Sequence, residues 1–241
     1  MRKGITDIHN HSLCCVDDGA HNRQEAVAML EAAAQQGVET VILTPHYRHG
    51  MFAYDKEEIE EQYNTLTETA EEIGIRLFLG CEYHVNSEIL QAFQTGRCHS
   101  LADSDYVLTE YSYQTEFAYI CQYTNQLLSC GYIPVIAHAE RYACIQKKPE
   151  LCAKLSAMGA IIQLNADSVL GIDGRIIKHI CKKILKQRIA HIIASDAHGI
   201  KERPNHIGSC YDYVAKKYGE EYADKLFCHN PGKIVREAER K

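Results

Sequence analysis

The stretch Ile5-Thr6-Asp7-Ile8-His9-Asn10-His11, followed by the acidic turn Val16-Asp17-Asp18-Gly19, decides how the chain is read. Ile5 and Ile8 mark the end of a short apolar strand. His9 and His11 are two apart, so an extended backbone projects them to one side. Two imidazoles side by side can grip one metal ion. Taken alone, the pair reads equally well as two surface histidines. What decides is whether later strands end the same way.

Working outward, a helix over 22–36 carries Ala26, Val27, Leu30, Ala33 and Ala34 at helical spacing and stops at Gly37. The β-rich run 38–43 then ends in Thr44-Pro45-His46. A charged helix over 55–73, with Ile59, Tyr63, Leu66 and Ala70 on one face, stops at Gly74, and 75–79 leads into Gly80-Cys81-Glu82. A short helix over 87–94 precedes 106–108, which ends in Thr109-Glu110. Helix 116–129 precedes strand 132–137, ending at His138. Helix 149–158 precedes strand 160–164, ending at Asn165. Helix 174–187 precedes strand 189–194, ending in Ser195-Asp196-Ala197-His198. Helices over 207–217 and 220–227 follow, and Pro231 opens a last one.

The strands are almost wholly apolar, as strands buried on both faces must be. Helical crossovers between them imply a parallel sheet. The expected architecture is therefore α/β: one domain over 1–241, closed as a barrel of about seven strands with outer helices. An open doubly wound sheet is the alternative, weakened by the lack of a Gly-rich phosphate loop after the first strand.

Composition narrows the function. The chain has 241 residues, 46% hydrophobic and 24% charged, enough to bury a sizeable core. Its net charge of −6 gives no bulk attraction for nucleic acid or anionic lipid. No apolar run approaches the roughly 18 residues that span a bilayer. Arg2 and Lys3 are followed by polar Asp7, His9, Asn10 and His11 where a signal peptide needs an apolar core, so a cytoplasmic protein is expected. Eleven cysteines without a C-x-x-C pair read as reduced thiols, most of them core filler. None has an arginine six residues later, which excludes the thiolate cradle of a cysteine-based phosphatase.

In a parallel barrel the C-terminal strand ends share one rim, where active sites are built. Here that rim receives His9, His11, His46, Glu82, Glu110, His138, Asp196 and His198, with Asp18 from the first loop. Such a density of ionisable groups needs a counter-charge, and metal cations supply it. Mixed imidazole and carboxylate ligation suits Zn²⁺, Mn²⁺ or Fe²⁺ rather than Ca²⁺. Nine candidates exceed one ion and suit two or three, the usual machinery of phosphoester hydrolysis. Arg141, three after His138, and Arg203, five after His198, offer planar bidentate bonds to phosphate. Arg48 and His49 read as surface residues at the mouth, and His84, two after Glu82, fits either reading. His21, His99, His179, His191, His206 and His229 read as ordinary.

The stretches D-I-H-N-H with V-D-D-G, T-P-H-Y-R-H-G-M-F, Y-V-L-T-E-Y-S, V-I-A-H-A-E-R-Y and I-A-S-D-A-H with E-R-P carry a resemblance. Together they resemble the PHP (polymerase and histidinol phosphatase) superfamily, and within it the bacterial capsule-type, metal-dependent protein tyrosine phosphatases. The resemblance runs over essentially the whole chain. It implies a distorted (β/α)7 TIM-like barrel, two or three divalent ions, often Mn²⁺, and hydrolysis of phosphotyrosine on the tail of a bacterial tyrosine autokinase controlling capsule or exopolysaccharide synthesis. It implies His9, His11, Asp18, His46, Glu82, Glu110, His138, Asp196 and His198 as ligands, with Arg141 and Arg203 holding phosphate. One departure is Cys14-Cys15, where an aliphatic residue and a proline are expected. Three other readings share part of the pattern: a small-molecule phosphatase of the histidinol-phosphatase type, a PHP nuclease, disfavoured by the acidic charge, and a non-catalytic metal-binding protein.

Overall fold

The computed structural model describes residues 4–52 and 54–240; Arg2 and Lys3 lie outside them. In chain order the elements are β1 (Ile5–Asn10), α1 (Arg23–Gln35), β2 (Val38–Leu43), β3 (His46–Tyr47), α2 (Lys56–Ile73), β4 (Arg76–Leu79), β5 (Glu82–His84), α3 (Ile89–Gln94), β6 (Tyr106–Glu110) and α4 (Phe117–Ser129). They continue with β7 (Ile133–Ile136), α5 (Ala143–Lys147), α6 (Leu151–Met158), β8 (Ile161–Asn165), α7 (Ala166–Leu170), α8 (Arg175–Lys186), β9 (Ile192–Ala194), α9 (Ile207–Tyr218), α10 (Glu220–Asp224) and α11 (Asn230–Ala238). The second and third expected strands, 38–43 and 75–79, are β2 and β4, and each is followed, after a break at Thr44-Pro45 or at Gly80-Cys81, by a further short strand, β3 or β5.

All ladders are parallel. One runs β1-β2-β4, the other β3-β5-β6-β7-β8-β9. Because β2–β3 and β4–β5 are continuous in the chain, the two ladders make one curled wall. The first and last strands meet through a parallel bridge between Asn10 and Ala197. At that seam the Asp196 N–H donates to the His9 carbonyl at 2.9 Å and the His11 N–H to the Ala197 carbonyl at 3.0 Å. The barrel is uneven. The ladder reaches β6 from β5, and the short 3-10 turn Leu101–Asp103 fills the space beside β4. Gly80 lies against that turn: a Cβ there would sit 3.0 Å from Leu101 Cδ2 and 3.2 Å from Ile42 Cγ2.

Alternating side chains divide the core in two. Ile8, Ile42, Leu108, Val135, Ala137, Ile192 and Ala194 point inside the barrel, where Ile234 and Val235 of α11 join them. Val41, Val107, Ile136, Ile162, Leu164 and Ile193 point outward and pack under the helices. The helices start and stop where their sequences say. Asn22 caps α1 by accepting from the Glu25 N–H, Asp55 caps α2, and Gly74 ends α2 at φ +90°.

Candidate metal and phosphate site

The inward-facing positions climb each strand in steps of two, and the climb ends in chemistry. Leu108 leads to Glu110, Phe78 through Gly80 to Glu82, Ile42 through Thr44 to His46, and Ile192 through Ala194 to Asp196. Two residues leave this rule. His9 reaches the site where the β1–β2 register shifts between Asp7 and Asn10. His138 turns inward at φ +32°, a left-handed conformation rare for a non-glycine residue. Asp196 and Arg203 also have positive φ, at +54° and +51°. Such backbone strain concentrates at functional sites.

The nine expected side chains converge. Eight form three overlapping groups: His11, Asp18, His46 and His198; His9, His11, Glu82 and Asp196; and His46, Glu82 and Glu110. In each, the potential ligand atoms lie within 4.8 Å of one another. Glu82 is the hub, its Oε2 being 3.1 Å from His9 Nε2, 3.1 Å from His46 Nδ1 and 3.4 Å from His11 Nε2. The ninth, His138, stands beside these groups with Nε2 at 2.8 Å from Glu82 Oε1. Asp18 bridges across the mouth, 3.3 Å from His46 Nε2 and 3.4 Å from His198 Nε2. The Cys14-Cys15 departure therefore does not keep the loop from delivering Asp18. Cys15 takes φ +64° and its N–H donates to the Ala20 carbonyl.

Three histidines are set in the tautomer a ligand needs. His9 Nδ1 faces Gln163 Oε1 at 3.3 Å, His11 Nδ1 faces Asp17 Oδ2 at 2.8 Å, and His198 Nδ1 faces the Asp196 carbonyl at 3.0 Å. A proton held on Nδ1 leaves the Nε2 lone pair aimed inward. The Nε2 atoms of all three, Nδ1 of His46 and of His138, and Oε2 of Glu110 are buried without a hydrogen-bond partner. Buried polar atoms almost always have one. A divalent cation is the partner that fits convergent lone pairs.

The electrostatics agree. Burial opposes charge on His11, yet the Asp17 carboxylate lifts its pKa to about 10. Burial, and then the charge on His11, push His198 down to about 4. Burial and the neighbouring Glu82 carboxylate push Glu110 up to about 7. Burial also opposes the Glu82 charge, but His9, His46, His11 and His138 hold it well below the usual carboxylate range. Imidazoles and carboxylates packed this closely shift one another's protonation, and a bound cation would take the place of the protons they share.

Arg141 and Arg203 close on one atom. Arg141 Nη1 donates to Asp196 Oδ2 at 2.9 Å and Arg203 Nη2 to the same oxygen at 2.7 Å, with Asn165 Nδ2 at 2.6 Å. The other Asp196 oxygen faces His9 at 3.2 Å and His11 at 3.6 Å. A cavity of about 460 Å³ opens beside them, lined in part by Glu110, His138, Arg141, Tyr111, Tyr113 and Tyr142. Phe52 stacks on His46, centroids 5.1 Å apart. His84 stays outside the ligand groups, with Nε2 3.1 Å from Ser112 Oγ.

Several supporting residues carry no signal that singled them out. Asp7 is fully buried and takes the Ser195 N–H, the Ser195 hydroxyl, Asn10 Nδ2 and Asn205 Nδ2, tying β1 to the end of β9. Burial raises its pKa against the pull of those donors. Asp17 also accepts the His46 and Gly19 N–H groups. Gln163 Oε1 accepts the His138 N–H at 2.7 Å. Both aspartates stand inside the two quoted motifs, where the acidic residue beside a ligand was the available cue.

Residues 5–236 match the family model for capsular polysaccharide synthesis proteins CpsB/CapC. Tyrosine-protein phosphatase CpsB of Streptococcus pneumoniae is 34% identical, covering 96% of this chain and 98% of that protein. A putative tyrosine-protein phosphatase CapC of Staphylococcus aureus is 35% identical, covering 98% and 92%. A solved structure from work on YwqE of Bacillus subtilis and CpsB of Streptococcus pneumoniae, described as metal-dependent tyrosine phosphatases, superposes with a TM-score of 0.91 at 31% identity, covering 97% of this chain and 95% of that one. The chain belongs to the CpsB/CapC family.

Proposed function

We propose that residues 1–241 act as one metal-dependent phosphotyrosine-protein phosphatase, with the nine converging residues as ligands for two or three divalent ions, Mn²⁺ foremost. The observation that carries this is the shared carboxylate: Asp196 presents one oxygen to the histidine cluster and the other to both arginines. A phosphate would thus meet cations and guanidinium groups together. Divalent ions held there by these nine residues would supply Lewis-acid charge and activate water near neutral pH.

The chain's own groups do the rest. Arg141 and Arg203 take the equatorial phosphate oxygens and neutralise charge growing on them. Burial opposes the Arg141 charge, but Asp196, Glu140 and Asp173 keep it firmly protonated. Glu82, Asp17 and Gln163 hold the imidazoles in place. The tyrosine-lined cavity accommodates an aryl leaving group, and a phenolate departs with little acid assistance. The substrate this favours is a phosphotyrosine tail of a bacterial tyrosine autokinase, met in the cytoplasm. Among the described residues no helix is long and apolar enough to cross a membrane.

The test is hydrolysis of a phosphotyrosine peptide, with histidinol phosphate and single-stranded DNA as competing substrates. The peptide should be turned over fastest, EDTA should abolish turnover, and Mn²⁺ should restore it. Activity that persists after complete metal removal refutes the proposal, and preference for histidinol phosphate transfers it to a small-molecule phosphatase. Arg141→Ala should keep its metal and lose roughly 100-fold in kcat. His138→Ala should lose metal and activity together.

A further inference from the structure

Helix α8 carries Arg175, Lys178, His179, Lys182, Lys183 and Lys186 and no acidic residue, in a chain whose net charge is −6. All of these except the half-buried Lys178 are exposed. Lys178 is committed to the Leu170 carbonyl at 2.7 Å. Among the described residues, Arg175, Lys182, Lys183 and Lys186 form no ion pair. Lys182 and Lys186 are four apart and Lys183 and Lys186 three, so these like charges repel one another along one face. The strip thus leaves its field open to solvent.

Its position ties it to the site. α8 packs against the turn Ala139–Arg141 that carries Arg141. Ile177 of α8 and Asp173 before it line the cavity that also holds Glu110, His138 and Arg141. Ile176, 75% exposed, and Ile172, 56% exposed, stand at the same end. The strip begins at Arg175, two residues before Ile177 but on the solvent side of the helix, and runs to Lys186, about 16 Å away at 1.5 Å per residue. An extended peptide covers that distance in about five residues.

We propose that Arg175, His179, Lys182, Lys183 and Lys186 form a docking surface for an acidic, multiply phosphorylated segment of the protein substrate, flanking the phosphotyrosine in the site. The proposal rests on the phosphatase reading above. Charge complementarity, and the placement of Arg175 between the cavity-lining Asp173 and Ile177 in the chain, select this occupant. A segment rich in phosphates would be repelled by the chain as a whole, and this strip gives it a local attractive path.

The test compares wild type with the combined variant Lys182→Glu, Lys183→Glu, Lys186→Glu, and with the milder Lys→Gln triple to guard against a folding defect. Substrates are p-nitrophenyl phosphate, a peptide with one phosphotyrosine and neutral flanks, and the same peptide with two more phosphotyrosines within the next eight residues. The variants should leave the first two unchanged and lower kcat/KM for the third about tenfold, through KM. In wild type, 0.5 M salt should erase the preference for the third. Fluorescence anisotropy of the third peptide on EDTA-treated protein should show the same loss of affinity without turnover. Equal losses on all three substrates, or none on the third, overturn the proposal. Loss of sedimentation with phosphatidylserine vesicles at unchanged peptide affinity also overturns it, in favour of a lipid surface. Failure of wild type to hydrolyse the singly phosphorylated peptide refutes the phosphatase reading itself, while anisotropy still reports on docking.

Discussion

Asp17 shows how much of the site is built by side chains that do not reach its centre. It fixes the His11 ring through Nδ1 at 2.8 Å and pins the His46 and Gly19 backbone N–H groups. Replacing a carboxylate that orients a ligating imidazole typically costs 10–100-fold in metal affinity. Asp17→Asn should therefore weaken Mn²⁺ binding about 10–100-fold in a calorimetric titration while leaving the far-UV circular dichroism unchanged. Unchanged affinity would mean that His11 needs no such support. Gly19 in the same loop has no room for a side chain: a Cβ would lie 2.1 Å from the His11 carbonyl oxygen and 2.7 Å from His11 Cβ. Gly19→Ala should displace Asp17 and Asp18 together and lower metal content, read by elemental analysis of the purified protein. The nine converging residues were legible in the sequence because each stands at a strand end or in the first acidic turn. Asp7, Asp17 and Gln163 were not. A buried aspartate that accepts backbone N–H groups has the same letter as an exposed helix cap, and Gln163 gains its role only when β8 lies beside His9 and His138.

At the level of elements, the strand–helix alternation was readable because buried strands and amphipathic helices differ in period. The interruptions were not. Pro45 and Cys81 stand just past the expected strands 38–43 and 75–79, and the chain returns to strand beyond each, as β3 and β5. Pro45 has no N–H to donate; the alternation from Ile42 to His46 nevertheless survives the break, so the inward series still delivers His46. Helices α5 and α7, five residues each, are too short to show a period and were absent from the expectation. His191, expected to be ordinary, is a working part of the β8–β9 junction. Its Nδ1 accepts the Ile162 N–H at 3.0 Å, and its Nε2 lies 3.3 Å from Ser156 Oγ. Protonation at Nδ1 would end the first bond, and burial lowers the pKa from 6.5. A lowered histidine pKa means that the unfolded chain binds the proton more tightly. The contribution is therefore intact above pH 6.5 and lost as pH falls from there through the folded pKa. His191→Gln should narrow the gap in urea midpoint between pH 7 and pH 5; an unchanged gap would show that the titrating group lies elsewhere.

For the whole molecule, the barrel's inner core is closed from below by Ile234 and Val235 on a helix near the end of the described chain. Ile234 is 1% exposed, and its truncation leaves a cavity among strand side chains that cannot collapse freely. Ile234→Ala should cost about 2–5 kcal/mol, seen as a lower thermal midpoint with or without Mn²⁺. A smaller loss would mean that α11 only leans on the barrel. The seam between β1 and β9 has a different consequence. His9 and His11 lie on one side of it and Asp196 and His198 on the other, joined through His9–Asp196 and His11–Ala197 backbone bonds. Residues 9 and 11 must meet residues 196 and 197 before the centre exists, so its assembly carries a large loop-closure cost. A ribosome-bound chain cannot own a complete cluster until residue 198 has left the exit tunnel. The full nine-residue cluster therefore exists only once the β1–β9 seam has formed, and uptake of the full complement of ions during refolding would serve as a clock for ring closure.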